Sequence, residues 1–161
     1  MLKFERYGIG IAKGMAVTLR NLFRHRVTTQ YPEERLVVSR RIRGNQLIWK
    51  EDKCTGCATC AKTCPQGAIR VVTAPDEENN YTVINFEVDS GYCIACGLCV
   101  EACPYTALFL AYQYELARYR RRELVLDRDE LALIEVTPSA YARPELEATL
   151  PRQDLLINRK E

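Results

Sequence analysis

Two copies of one cysteine run leave this chain few folds to choose from. Cys54, Cys57, Cys60 and Cys64 follow the spacing C-x2-C-x2-C-x3-C, with Pro65 directly after. Cys93, Cys96, Cys99 and Cys103 repeat the spacing 39 residues later, again followed by a proline, Pro104. Together the runs use all eight cysteines of the 161-residue chain. Three thiolates at this spacing share one tight loop and can wrap a single centre. The fourth is carried away by the helical geometry that follows and faces the other half. The trailing proline has no N–H, so it ends the local helix without leaving a donor unsatisfied beside the sulfur. Disulfides would close very small loops here, and the first residues lack the apolar stretch of a signal peptide, being broken at Lys13. A cytoplasmic, reducing compartment is expected, where such cysteines bind metal or do redox work.

The run C-x2-C-x2-C-x3-C-P is that of bacterial two-cluster ferredoxins, in which the fourth cysteine ligates the other cluster. The cofactors expected are therefore two [4Fe–4S] clusters. Cys54, Cys57, Cys60 and Cys103 would hold the first, and Cys93, Cys96, Cys99 and Cys64 the second. The bland alternative is a zinc-stabilised interaction module, but zinc sites commonly pair two CxxC knuckles across a longer gap. No catalytic residues are expected beyond electron transfer. His25 is the only histidine, which removes most acid–base and Cys–His schemes. Gly8, Gly10 and Gly14 miss the dinucleotide fingerprint by one residue, and there is no P-loop.

The flanks give the organisation. Residues 1–46 carry ten basic and three acidic side chains and are read as an N-terminal amphipathic arm. Residues 9–25 read as a helix, with Ile11, Met15, Leu19 and Leu22 on one stripe and Lys13, Arg20 and Arg24 mostly off it. Thr28 to Glu34 reads as extended because of Pro32. Residues 47–110 form the double-cluster domain. In it, short apolar runs (Leu47–Trp49, Ile69–Val72, Val83–Val88, Leu108–Leu110) read as strands around each cysteine copy, with residues 74–80 as the loop between halves. Trp49 is expected in the core. Residues 111–161 form a helical extension and tail. Residues 112–122 are helical in pattern, with Tyr112, Tyr114 and Tyr119 as packing residues. Asp127 and Glu130 resemble a capping box. The tail from Thr137 is expected to gain order only from a partner, anchored by Tyr141 and Leu155–Ile157. Arg120–Arg122 read equally well as a solvated face or a partner contact. No apolar run is long enough to span a membrane, and a formal charge of +2 gives no case for nucleic acid. The fold class expected is α+β: a ferredoxin-like core with a pseudo-two-fold repeat, two hairpins and two short helices.

Beyond the cysteine runs, the chain resembles subunit I of NADH-quinone oxidoreductase, the two-cluster subunit of respiratory complex I. Residues 13–19 (KGMAVTL) and 27–34 (VTTQYPEE) look like that family's N-terminal arm, and residues 119–125 (YRRRELV) like its segment after the second run. The resemblance implies a subunit with no substrate pocket of its own. It would relay single electrons through its two clusters towards a neighbouring subunit's cluster beside the quinone, in a complex that translocates protons. It would sit peripherally on the cytoplasmic face of a membrane, touching other iron–sulfur subunits and, through its N-terminal helix, the membrane surface. The alternatives are the equivalent subunit of a membrane-bound hydrogenase or of a ferredoxin- or F420H2-linked dehydrogenase, and a free soluble ferredoxin. About 60 residues suffice for a free carrier, so the flanks favour a complex.

Overall fold

The computed structural model describes residues 7–24, 28–77, 81–133 and 135–154. It divides into two compact units, Met1–Leu36 with Leu155–Glu161, and Val37–Asp154. In the first unit, helix α1 spans Tyr7–Leu22, close to the expected 9–25. Its sixteen residues make a rod about 24 Å long. The expected stripe of Ile11, Met15, Leu19 and Leu22 is exposed throughout, as are Ile9 and Val17. Arg20 in the last turn complements the helix dipole. His25 lies outside the described residues. Residues 28–34 are not uniformly extended: a turn at residues 31–33 is closed by Glu34 N donating to Gln30 O at 2.8 Å. Pro32 keeps Tyr31 out of a helix, but a turn meets that restriction as well as a strand does.

The second unit holds two small antiparallel sheets. Strand β1 (Leu47–Trp49) pairs with β4 (Leu108–Leu110), Leu47 opposite Leu110 and Trp49 opposite Leu108. Strands β2 (Ile69–Pro75) and β3 (Tyr81–Asp89) form a hairpin, with a register shift between Val72 and Thr73. The short β5 (Val125–Leu126) joins the other edge of β3. The two expected hairpins are thus one hairpin, β2 with β3, and one pair that closes β1 onto β4. After each cysteine loop stands a short helix, α2 (Thr59–Thr63) or α3 (Leu98–Glu101). Phe86 and Val100 are fully buried, with Val88, Leu131, Leu108 and Leu47 nearly so. Trp49 is in this core as expected, its ring stacked on Phe86 with centroids 4.9 Å apart. Burying a Phe of this size stabilises by roughly 1.5–3 kcal/mol.

The capping box is present. Glu130 N donates to Asp127 Oδ1 at 2.9 Å, and Asp127 N donates to Glu130 Oε2 at 3.2 Å. It opens α4 (Arg128–Leu133), whose Leu131 enters the core. The helix expected over residues 112–122 does not form. A 3-10 turn at Arg121–Leu124 is the only helical piece there among the described residues. Tyr112 instead donates its N–H to Thr137 O and its hydroxyl to Val38 O. These long-range bonds replace the helical ones. Of the three tyrosines expected to pack, only Tyr112 does; Tyr114 and Tyr119 are exposed. Arg121 lies 4.8 Å from the Tyr92 ring and forms an ion pair with Asp89, whose carboxyl it holds below the usual carboxylate range.

The tail corrects the sequence reading most. Residues 137–154 fold back on this chain's own core. Ser139 N donates to Leu110 O and Ala140 N to Arg40 O, both at 2.8 Å, and Pro138 bridges Ala111. Asp154 N donates to Val37 O, Arg40 Nε donates to Pro151 O, and Leu150 is buried. Burial and main-chain bonds together offset the ordering entropy that isolated composition could not. Gly44 belongs to the same seam: its N–H donates to Ala111 O, and any Cβ there would run into that carbonyl. Leu155–Ile157 lie outside the described residues.

Candidate metal centre

Each cysteine run folds into a loop followed by a short helix, and each loop bends through the same left-handed positions. Gly56 and Ala58 in the first loop correspond to Ala95 and Gly97 in the second, 39 residues on, and Gly67 corresponds to Thr106. All six have φ between 50° and 85°. Glycine stands at only one member of each pair, so a comparison of residue identities passes over these shared bends.

These bends gather the thiols at two cavities. The first is lined by Cys54, Cys57, Cys60 and Cys103, with Val71, Phe86, Tyr105 and Leu108 among its walls. The second is lined by Cys93, Cys96, Cys99 and Cys64, with Leu47, Ile69, Val88 and Leu110. Counting their open mouths, they enclose about 350 and about 410 Å³. Each cavity therefore meets three cysteines of one run and the last cysteine of the other.

The loops also aim donors at sulfur. Ala68 N donates to Cys64 Sγ at 3.3 Å, and Ala107 N donates to Cys103 Sγ at 3.4 Å. The alanine shared by the two runs is thus a buried position whose N–H faces the fourth thiol, with a small side chain that fits the core. Ala95 N donates to Cys93 Sγ, and Cys57 Sγ lies 3.4 Å from the Thr59 hydroxyl. That hydroxyl draws the exposed Cys57 thiol below its usual pKa. Burial does the reverse elsewhere, pushing Cys60 up to about 11 and Cys99 up to about 12, and raising Cys93. A metal cluster binds thiolates, so loading these sites must release protons.

The donor set suits an iron–sulfur cubane. Four thiols converge on each cavity, its walls are largely apolar, and backbone N–H groups stand ready to bond sulfur.

A small α+β domain with two such thiol-lined cavities defines a two-cluster ferredoxin-like electron-transfer protein. Residues 53–107 match the family model of the 4Fe-4S dicluster domain, and the chain carries two [4Fe–4S] clusters. It is 37% identical over 124 residues to "NADH-quinone oxidoreductase subunit I 2" of Geobacter metallireducens, covering 75% of this chain and 95% of that one. It is 37% identical over 146 residues to "NAD(P)H-quinone oxidoreductase subunit I" of Gloeobacter violaceus, covering 88% and 69%. The chain belongs to the NADH-quinone oxidoreductase subunit I family, as its flanking segments led us to expect, and is an iron–sulfur electron-relay subunit. Among solved structures it resembles a chain of the membrane-bound sulfane sulfur reductase, an archaeal respiratory membrane complex. The TM-score is 0.51 and the identity 29%, over 81% of this chain and 65% of that chain.

Proposed function

We propose that this chain relays single electrons within a membrane-associated NADH-quinone oxidoreductase, towards a cluster beside the quinone in a neighbouring subunit, in a complex that translocates protons. The observation that carries the proposal is the pair of cavities, each lined by three cysteines of one run and one of the other, in a chain related to subunit I of that enzyme. Cys54, Cys57, Cys60 and Cys103 hold the first cluster; Cys93, Cys96, Cys99 and Cys64 hold the second. The two halves are related by a pseudo-two-fold axis, which the repeated left-handed positions support. Residues 47–110 are the cluster-bearing domain, flanked by an arm (1–46) and an extension (111–161). The clusters accept and pass electrons one at a time; the chain's own part is to hold them, bond their sulfurs and limit water around them.

The complex sits at the cytoplasmic face of a membrane, with this subunit peripheral. No helix among the described residues is long and apolar enough to cross a bilayer. Helix α1, with its exposed Ile11, Met15, Leu19 and Leu22, its cationic Lys13 and Arg20, and Arg24 just beyond its end, lies against a membrane subunit or anionic lipid. A second reading is supported by the likeness to the sulfane sulfur reductase chain: the equivalent subunit of a respiratory complex with another electron donor. Purification of the intact complex under anaerobic conditions separates the two. Rapid reduction of this chain's clusters by NADH, with partner subunits of an NADH oxidoreductase co-purifying, is expected. Reduction by reduced ferredoxin alone would overturn the NADH assignment in favour of the second reading.

A further inference from the structure

The two cluster loops differ in what lies over them. Gly97, next to Cys96, has φ +85°, and a Cβ there would run into the ring of Tyr141. The tyrosine reaches this place because residues 138–140 are pinned to β4 and to Arg40. Its hydroxyl donates to Glu101 Oε1 on α3. Across the ring, the Arg43 guanidinium lies 5.6 Å from the centroid, and Arg43 Nη1 donates to the Cys96 carbonyl oxygen at 3.2 Å. The corresponding place in the first loop is Ala58, which already carries the Cβ that Tyr141 excludes at Gly97, and Cys57 beside it is exposed.

We propose that Arg43, Tyr141 and Glu101 form a strap over the Cys96 loop that shields the second cluster, with the Arg43 cation raising that cluster's reduction potential, and that the first cluster has no counterpart among the described residues. This rests on the reading that Cys96 ligates that cluster. Arg43 brings a guanidinium cation to the loop. A fixed cation beside a centre that gains an electron favours the reduced form, which moves the potential upwards. The Tyr141 ring covers the loop backbone where water and oxygen would otherwise approach. Glu101 holds the phenol in place, and the cation–π contact holds the guanidinium over the ring. All three are positioning residues, acting on the cluster through the loop that bears Cys96.

The test uses the full chain, loaded anaerobically with iron and sulfide and followed by redox titration with electron paramagnetic resonance. Cys57→Ala and Cys96→Ala identify which signal belongs to which loop. Arg43→Gln is expected to lower the midpoint potential of the Cys96-loop cluster and leave the other in place, with Arg43→Lys restoring most of the shift. Tyr141→Ala should make the same cluster decay in air several-fold faster than the first, whereas Tyr141→Phe, which keeps the ring, should protect it. Equal shifts at both clusters, or none, would overturn the electrostatic part. Equal acceleration of both losses, or a lowered melting temperature without a selective loss, would overturn the shielding part. Cys64→Ala in the same series keeps the two readings apart: if it removes the first-loop signal, the interleaved ligation fails while the Arg43 result still judges the strap.

Discussion

Gly67 and Thr106 stand at the same turn of the two halves, and they isolate what the left-handed bend costs. Gly67 has open space around its Cα, so a methyl there meets nothing within 4 Å. Only its φ of +61° opposes a side chain. Gly67→Ala should therefore lower stability by about 1–2 kcal/mol, read from the denaturant midpoint of the cluster-loaded chain. Thr106→Gly should recover part of that amount, reduced by the added freedom of glycine in the unfolded chain. If Gly67→Ala proves neutral, the bend is not held at that φ. The grouping of cysteines around each cavity could be anticipated from the sequence, because the repeated run is that of two-cluster ferredoxins and needs no knowledge of a distant neighbour. The contributions of Gly44, Gly97 and Tyr141 could not, because each depends on a neighbour far along the chain that no local pattern reveals.

At the scale of elements, the parts set by local chemistry were readable and those set by distant contacts were not. The four apolar runs became strands, and the Asp127–Glu130 box caps α4 as its sequence required. Asp127→Ala should cost about 0.5–2 kcal/mol, since it frees the Glu130 N–H and loosens the helix that delivers Leu131 to the core; an unchanged melting temperature would show that the cap contributes nothing. The residue 112–122 segment and the tail were misread for one reason. Their hydrogen bonds go to residues as distant as Val38 and Arg40, and periodicity cannot report a partner seventy or more positions away. The tail has a consequence that composition hid. Ending the chain at Thr137 removes the pairing of Ser139 with β4, the buried Leu150 and the Tyr141 contact at Gly97. The truncated chain should unfold at lower temperature and lose the second cluster first, by absorbance and iron content. A truncated chain that keeps both clusters and the melting temperature of the intact chain would show that the tail is dispensable to the fold.

The whole molecule comprises a cluster-bearing unit, Val37–Asp154, and an arm whose helix is exposed from Gly8 to Leu22. A diffusing carrier has no use for an arm whose apolar helix residues are exposed, whereas a subunit can cover them with a neighbour. Family membership agrees with that division of labour. If the halves exchange their fourth cysteines, as proposed above, neither cluster can be completed by its own run. Cys64→Ala tests this exchange most directly, by iron and sulfide analysis with electron paramagnetic resonance of the anaerobically prepared full chain. The intact chain should hold about eight irons. The variant should keep the Cys54-loop cluster and lose or degrade the one in the Cys93 loop, while Cys103→Ala should do the opposite. Loss of the Cys54-loop cluster in Cys64→Ala, with the other intact, would contradict the account.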